Sequence, residues 1–277
     1  MAQQHRCHLR SLVVRIDAYG AAVSVPTATE CRRVPMVEPA VVLDGPFRYA
    51  AAGCEIRVST PARDRDLWHE YLDGALANYL RYGVESVLEY KTVRPGRTTT
   101  MFFAAVDPSG AVIGGMRVQG PYSDPGQAHA LTEWAGRPGT AELRDEIASR
   151  IGPDLHGNRQ GVIEMKTGWV APDAPHKREL TAALARVFLH AIKLTGVRYA
   201  LGTVATHAVP KWSTTGGEIS SRVTPVAYPD ARYRTVPMWW DRDKELSPEL
   251  DAKMGDEQHR MLWSDLAKLT QVADTAA

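Results

Sequence analysis

Apolar and polar positions follow two rhythms along this chain. "CEIRVST" (54–60) alternates residue by residue, the period of a half-buried strand. From Arg63 to about Glu89 the period turns helical, with Leu67, Tyr71, Leu72, Leu76, Tyr79 and Leu80 recurring on one face. Gly74 and Gly83 weaken that stretch and allow it to break in two. "TTMFFAAVDPSGAVIGGMRVQG" predicts a hairpin, because two strand-like runs flank the turn-forming Asp-Pro-Ser-Gly. A loop-rich region from Pro125 to Gly139 holds a short helix at "AHALTEW", and "TAELRDEIASRI" predicts a helix capped by Thr140. "GVIEMKTGWV" reads as a strand. The helix expected over about 176–194 carries Leu180, Leu184, Val187, Phe188, Ala191 and Ile192 on one face and stops at Gly196. "VRYALGTV" reads as a covered strand, "THAVPKWSTTGG" as a short irregular or helical piece, and "YRTVPMWWD" as a late strand. Ser247 opens a polar terminal helix. Before Ala50 the pattern is weak, with a strand-like "SLVVRID" and an extended "RRVPMVEPAVV". The alternation of strands and helices predicts α/β layers around a mixed sheet.

Composition narrows the class. The chain has 277 residues, a formal net charge of +1, 44% hydrophobic residues and 23% charged ones, which suits one globular domain with appendages. The expected division is an N-terminal arm over 1–50, a main domain over 51–242 and a helical tail over 243–277. Near-neutral charge gives no argument for a nucleic-acid or membrane partner, and none is expected. Cys7, Cys31 and Cys54 are too few and too scattered for a disulfide framework or a zinc motif, so reduced thiols in a cytoplasmic protein are expected. No apolar stretch approaches the roughly 20 residues of a membrane span. Arg15 and Asp17 interrupt the apolar run that an export signal would need. There is no Gly-x-Ser-x-Gly elbow, and no metal-ligand spacing of His, Cys and Asp.

Candidate chemistry gathers in "GVIEMKTGWVAPDAPHKREL" (161–180). His176, Lys177 and Arg178 stand at a helix start, where the local field repels cations. They are either solvated side chains or partners of a bound anion that the first-turn N–H groups would also hold. Glu164 shares a strand face with Val162, Lys166, Gly168 and Val170. It is either paired with Lys166 or placed as a base. Arg117, at the end of the hairpin, suits a surface ion pair or a bidentate grip on a substrate carboxylate.

From about Cys54 to Asp241 the chain resembles the GNAT acyltransferase superfamily, on the hairpin "FFAAVDPSGAVIGGMRV", the strand–loop–helix "IEMKTGWVAPDAPHKREL" and the following "VRYALGTV". Within it the chain is most similar to the branch of acyl-homoserine-lactone autoinducer synthases and N-acyl amino acid synthases, which "YPDARYRTVPMWWD" also resembles. Lys166 and Thr167 depart from that branch's Glu-x-Ser-Arg strand. "APDAPHKREL" lacks the superfamily's loop glycines, which fits a branch that commonly uses carrier-protein donors. The resemblance implies a GNAT-like mixed central sheet flanked by helices, with an N-terminal arm and a C-terminal helix. It implies an N-acyltransferase that moves an acyl group from an acyl-CoA or acyl-carrier-protein thioester to an amine, an amino acid or a derivative, without a metal. Glu164 would assist deprotonation. The backbone of Gly168, Trp169 and Val170 would meet the pantetheine arm, and His176, Lys177 and Arg178 its phosphate. Relatives reprotonate the thiolate with a tyrosine after the next strand; here only His207 and Ser213 offer donors there. The alternatives are a GNAT-like ligand-sensing or scaffold domain without catalysis, and an acetyl-CoA-dependent acetyltransferase.

Overall fold

The computed structural model describes residues 47–153, 160–245, 257 and 260–269. Most of the expected arm, with Cys7, Cys31 and both stretches read there, lies outside the described residues, as does the terminal-helix start at Ser247.

Strand β1 (Phe47–Ala51) turns back into β2 (Cys54–Ser59), and β2 pairs with β3 (Met101–Val106), all antiparallel. The expected hairpin is β3 with β4 (Val112–Gln119). Its turn is locked by Asp107, whose Oδ1 accepts the N–H groups of Ser109 at 2.9 Å and Ala111 at 3.0 Å. Strand β5 (Val162–Val170) lies antiparallel to β4 and parallel to β6 (Tyr199–Ala205). Helix α5 (Lys177–Thr195) makes the crossover between them that a parallel pair needs. Strand β9 (Arg234–Asp241) closes on β6, and the two-residue strands β7 (Glu218–Ile219) and β8 (Val226–Ala227) pair with β9. Among the described residues this is one mixed sheet in the order β1-β2-β3-β4-β5-β6-β9-β7, the GNAT-like α/β layout expected.

Alternate residues of the sheet feed cores on opposite faces. Met101, Phe103, Met116, Ile163 and Met165 pack with Leu180, Leu184, Val187 and Phe188 of α5. Phe102, Ala104 and Trp169 pack with Leu67, Trp68, Tyr71 and Leu72 of α1 (Arg65–Tyr82). On that second face, Val162, Leu201 and Trp239 meet Leu131 of α3 (Ala130–Glu133) and Leu143 and Ile147 of α4 (Thr140–Ile151). A helix over residues 260–269 adds Leu262 and Leu269 to the α5 side.

Two local expectations change. Helix α1 runs through Gly74 without a break, because a Cβ there would sit 2.3 Å from the Trp169 ring; the glycine lets the helix lie on the indole. It ends at Gly83, whose left-handed φ of 63° suits glycine. Gly139, not Thr140, holds the cap position of α4; the Thr140 hydroxyl instead donates to the Arg137 carbonyl at 2.6 Å. Helix α2 (Tyr90–Val93), α6 (Val209–Ser213) and α7 (Arg242–Glu245) are single turns.

Candidate functional site

β5 and β6 pair only from Val162↔Tyr199 to Met165↔Gly202. Beyond Met165, β5 stays with β4, through Lys166↔Arg117 and Trp169↔Gly115. Beyond Gly202, β6 stays with β9, through Thr203↔Pro237 to Ala205↔Thr235. The parallel strands therefore part like a V. Within the V, β5 carries an extra residue: its pairing moves from Lys166 to Trp169 while β4 moves from Arg117 only to Gly115. Thr167 takes a φ of 55° in that bulge. The Tyr71 hydroxyl donates to its carbonyl at 2.7 Å, and Arg117 Nε donates to its Oγ1 at 3.0 Å.

A cavity of about 390 Å³ passes through this opening. Gly168 and Gly202 flank it at the level of the sheet, Met116, Phe188 and Trp212 line it on the α5 side, and Tyr79, Glu133, Lys166, Tyr228 and Tyr233 line it on the α1 side. The α1 side ends on a buried polar cluster. Lys166 Nζ donates to Glu133 and, at 3.3 Å, to Thr203 Oγ1, and it lies 3.5 Å from Glu164 Oε1. Glu164 Oε2 accepts from the Tyr122 hydroxyl and the His129 backbone N–H, each at 2.8 Å. His129 Nδ1 lies 3.2 Å from Glu133 Oε1, and its Nε2 lies 3.3 Å from Glu89 at the surface. Glu133 Oε2 and Glu164 Oε1 are buried without a hydrogen-bond partner.

Burial by itself would raise the Glu133 carboxyl, but Lys166 and then His129 more than offset it and bring it down to about 2. Burial works against the Lys166 charge, yet Glu133 and Glu164 outweigh it and hold the ammonium above the usual lysine range. Burial also pushes the Tyr79 phenol up to about 12. The Glu133–Lys166 pair is therefore ionised, while the Tyr79 phenol beside it is neutral.

The structure brings some of the predicted residues together and separates others. Gly168 and His207 line the cavity. Glu164 is fully buried behind Lys166 and Glu133 rather than in the wall. The Trp169 side chain belongs to the α1 core, and Val170 is half-buried at the strand end. Arg117 is buried, held by Thr167 and, at 3.4 Å, by Thr99. Lys177 and Arg178 begin α5, exposed, behind His176, which has a φ of 50° and makes no side-chain cap. Ser213 ends α6 outside the cavity wall. Sequence reasoning missed Glu133 and His129, which sit in the loop-rich stretch whose only signal was "AHALTEW", and Tyr122 just before it. It also missed Tyr228 and Tyr233, which supply phenols from just before β9 rather than just after β6. Among the described residues no helix is long and apolar enough to cross a membrane, and no three His, Cys, Asp or Glu side chains could hold a metal ion.

Several solved structures are similar. A CoA-dependent acyl-homoserine lactone synthase with SAM and isopentyl-CoA has 11% identity and a TM-score of 0.48, over 82% of this chain and 100% of that one. An N-acyl amino acid synthase from uncultured soil microbes has 13% identity and a TM-score of 0.47, over 79% and 100%. A GNAT family N-acetyltransferase from Escherichia coli in complex with CoA has 14% identity and a TM-score of 0.40, over 68% and 82%. At such scores the superposition is partial, and the strand order itself carries the fold assignment. No family model matches the sequence. Uncharacterized proteins of Mycobacterium tuberculosis and Mycobacterium bovis are 44% identical over 228 residues, 81% of this chain and 84% of theirs. With that identity over four fifths of its length, the chain belongs to one family with these uncharacterized mycobacterial proteins, built on a GNAT-like mixed sheet.

Proposed function

We propose that this protein is an N-acyltransferase that takes its acyl group from a thioester, either acyl-CoA or an acylated carrier protein. One observation carries the reading: two parallel strands part and open a cavity through the sheet. Beyond Met165 the β5 backbone faces that opening instead of β6, so an extended pantetheine arm can lie along it as an added strand. The thioester carbonyl then reaches the bulge at Thr167–Gly168, where backbone N–H groups polarise it. The phosphate end meets the first turn of α5 with Lys177 and Arg178.

The acceptor amine approaches from the α1 side, an amino acid derivative being the class expected from the resemblance. An ammonium first gives one proton to solvent, and the free amine nitrogen then attacks the carbonyl carbon; the C–N bond forms and the C–S bond breaks. The proton leaving nitrogen passes to the Glu164 cluster, and the chain Glu133–His129–Glu89 leads from there to solvent. The leaving thiolate takes a proton from His207 in the cavity wall. The glycine-free loop before α5 favours a second reading, a ligand-binding domain without turnover.

The test is amine-dependent thiol release from acyl-CoA and acyl-carrier-protein donors of graded length, with product mass spectrometry. Release with at least one pair supports the acyltransferase. No release from any donor, with ligand binding retained, leaves the binding domain standing.

A further inference from the structure

The acceptor side of the cavity is built for a cation and, among the described residues, offers no uncommitted lysine or arginine to an anion. Glu133 is 2% exposed, forms part of the cavity wall, and keeps Oε2 without a hydrogen-bond partner. A buried carboxylate oxygen left unpaired is expensive, and a ligand N–H is the group that would satisfy it. Behind it, Glu164 Oε1 makes no hydrogen bond and has only the Lys166 ammonium, 3.5 Å away, to offset its charge. Among the described residues the wall holds a single lysine or arginine, Lys166. Its ammonium is already engaged by Glu133, Thr203 and, at 3.5 Å, Glu164. Arg117 is turned to Thr167 and Thr99 and is absent from the wall. An incoming carboxylate would face Glu133 with no uncommitted lysine or arginine in the wall to offset the repulsion. An incoming ammonium would meet the free Glu133 oxygen beside the neutral rings of Tyr79 and Tyr228, which attract cations through their faces.

We propose that the acceptor enters as an ammonium docked on Glu133 Oε2, and that its body carries no free carboxylate: a primary amine, or an amino acid whose carboxyl group is masked as an ester or amide. The word acceptor rests on the acyl-transfer reading; the ligand class does not.

Isothermal titration of the intact chain with 2-phenylethylamine, phenylalanine methyl ester, phenylalanine and 3-phenylpropionate tests this without any donor. The amine and the ester are expected to bind at least about tenfold tighter than phenylalanine, with no detectable binding of 3-phenylpropionate. Glu133→Gln is expected to weaken the amine about tenfold. If that variant does not fold, the ranking on the wild-type chain decides alone. Phenylalanine binding as tightly as its ester, or no binding of either amine, overturns the proposal. Amine binding without thiol release would sink acyl transfer and leave the ligand class intact. Turnover with a free amino acid as the best acceptor would do the reverse.

Discussion

Glu133 and Glu164 share one ammonium but not one environment. Glu133 forms cavity wall, whereas Glu164 is tied from behind by Tyr122 and the His129 N–H. Glu164→Gln keeps an oxygen for both donors, and Glu133 still pairs with Lys166. The loss of stability should stay within about 1–3 kcal/mol. Turnover should fall about 10²–10⁴-fold with donor affinity unchanged, as for removal of a positioned base. Unchanged turnover would make Glu164 a structural partner only. At Gly74 two effects compete. Alanine favours a helix interior by up to about 1 kcal/mol over glycine, but its Cβ would lie 2.3 Å from the Trp169 ring, and overpacking costs about 1–3 kcal/mol. Packing wins, so Gly74→Ala should lower the urea midpoint. A higher midpoint would mean that α1 and β5 have room to separate.

At the scale of the element, α5 supplies the crossover that sets β5 beside β6 and, in the function proposed above, the start that would meet a donor phosphate. His176 makes no side-chain cap, so the N–H groups of the first turn are not capped by it. Pro172 and Pro175 remove N–H groups from the loop before it, which leaves side-chain charge a larger share of anion binding than in a glycine-rich loop. Lys177 lies only 3.5 Å from the Pro172 carbonyl, a weak hold that a phosphate can displace. Lys177→Ala combined with Arg178→Ala should weaken donor binding strongly at low salt and much less at high salt, because exposed charges are screened over about 8–10 Å near physiological ionic strength. Equal affinities of wild type and double variant at low salt would reduce both residues to a solvated face.

At the scale of the whole described chain, a second buried cluster joins segments far apart in sequence. It links β1, α5 and the helix over residues 260–269. Tyr49 Oη lies 2.9 Å from His190 Nδ1, and Arg186 pairs with Asp265 at 3.1 Å. Burial, then the Arg186 charge, depresses His190 to about 3. Its folded pKa is below its unfolded value of about 6.5, so the unfolded chain binds more protons between those values. Stability is therefore full above that window and declines as pH falls through it, by roughly 2 kcal/mol at pH 5 from this group alone. Asp265, which burial raises, acts in the opposite sense at the acid end. Urea midpoints at pH 7 and pH 5 check this: the drop should shrink in His190→Phe, and an equal drop in both proteins would assign it to other groups.

The sequence by itself determined the elements whose pattern is local. Periodicity in 65–82, 140–151 and 177–195, alternation in 54–59, and Asp-Pro-Ser-Gly between two apolar runs depend on neighbours within a few residues. Those signals placed the helices and the hairpin and implied α/β layers around a mixed sheet; the GNAT-like order was what the resemblance implied. The β7 and β8 strands have two residues each, too few to show any period. Whether a glycine breaks a helix or lets it lie on a ring was also not local, because the ring at Gly74 comes from Trp169, far along the chain. The polar cluster was half legible: Glu164 and Lys166 stood out on one strand face, and their contact is present. Glu133 and His129 could not be seen, because their partners beyond each other lie 33 to 40 positions away and only the folded sheet brings them within reach. The bulge at Thr167 and the parting of β5 from β6 depend on how β4 and β9 each hold a strand end. Backbone pairing between distant segments leaves no trace in either segment alone, so the cavity itself is a product of the tertiary structure.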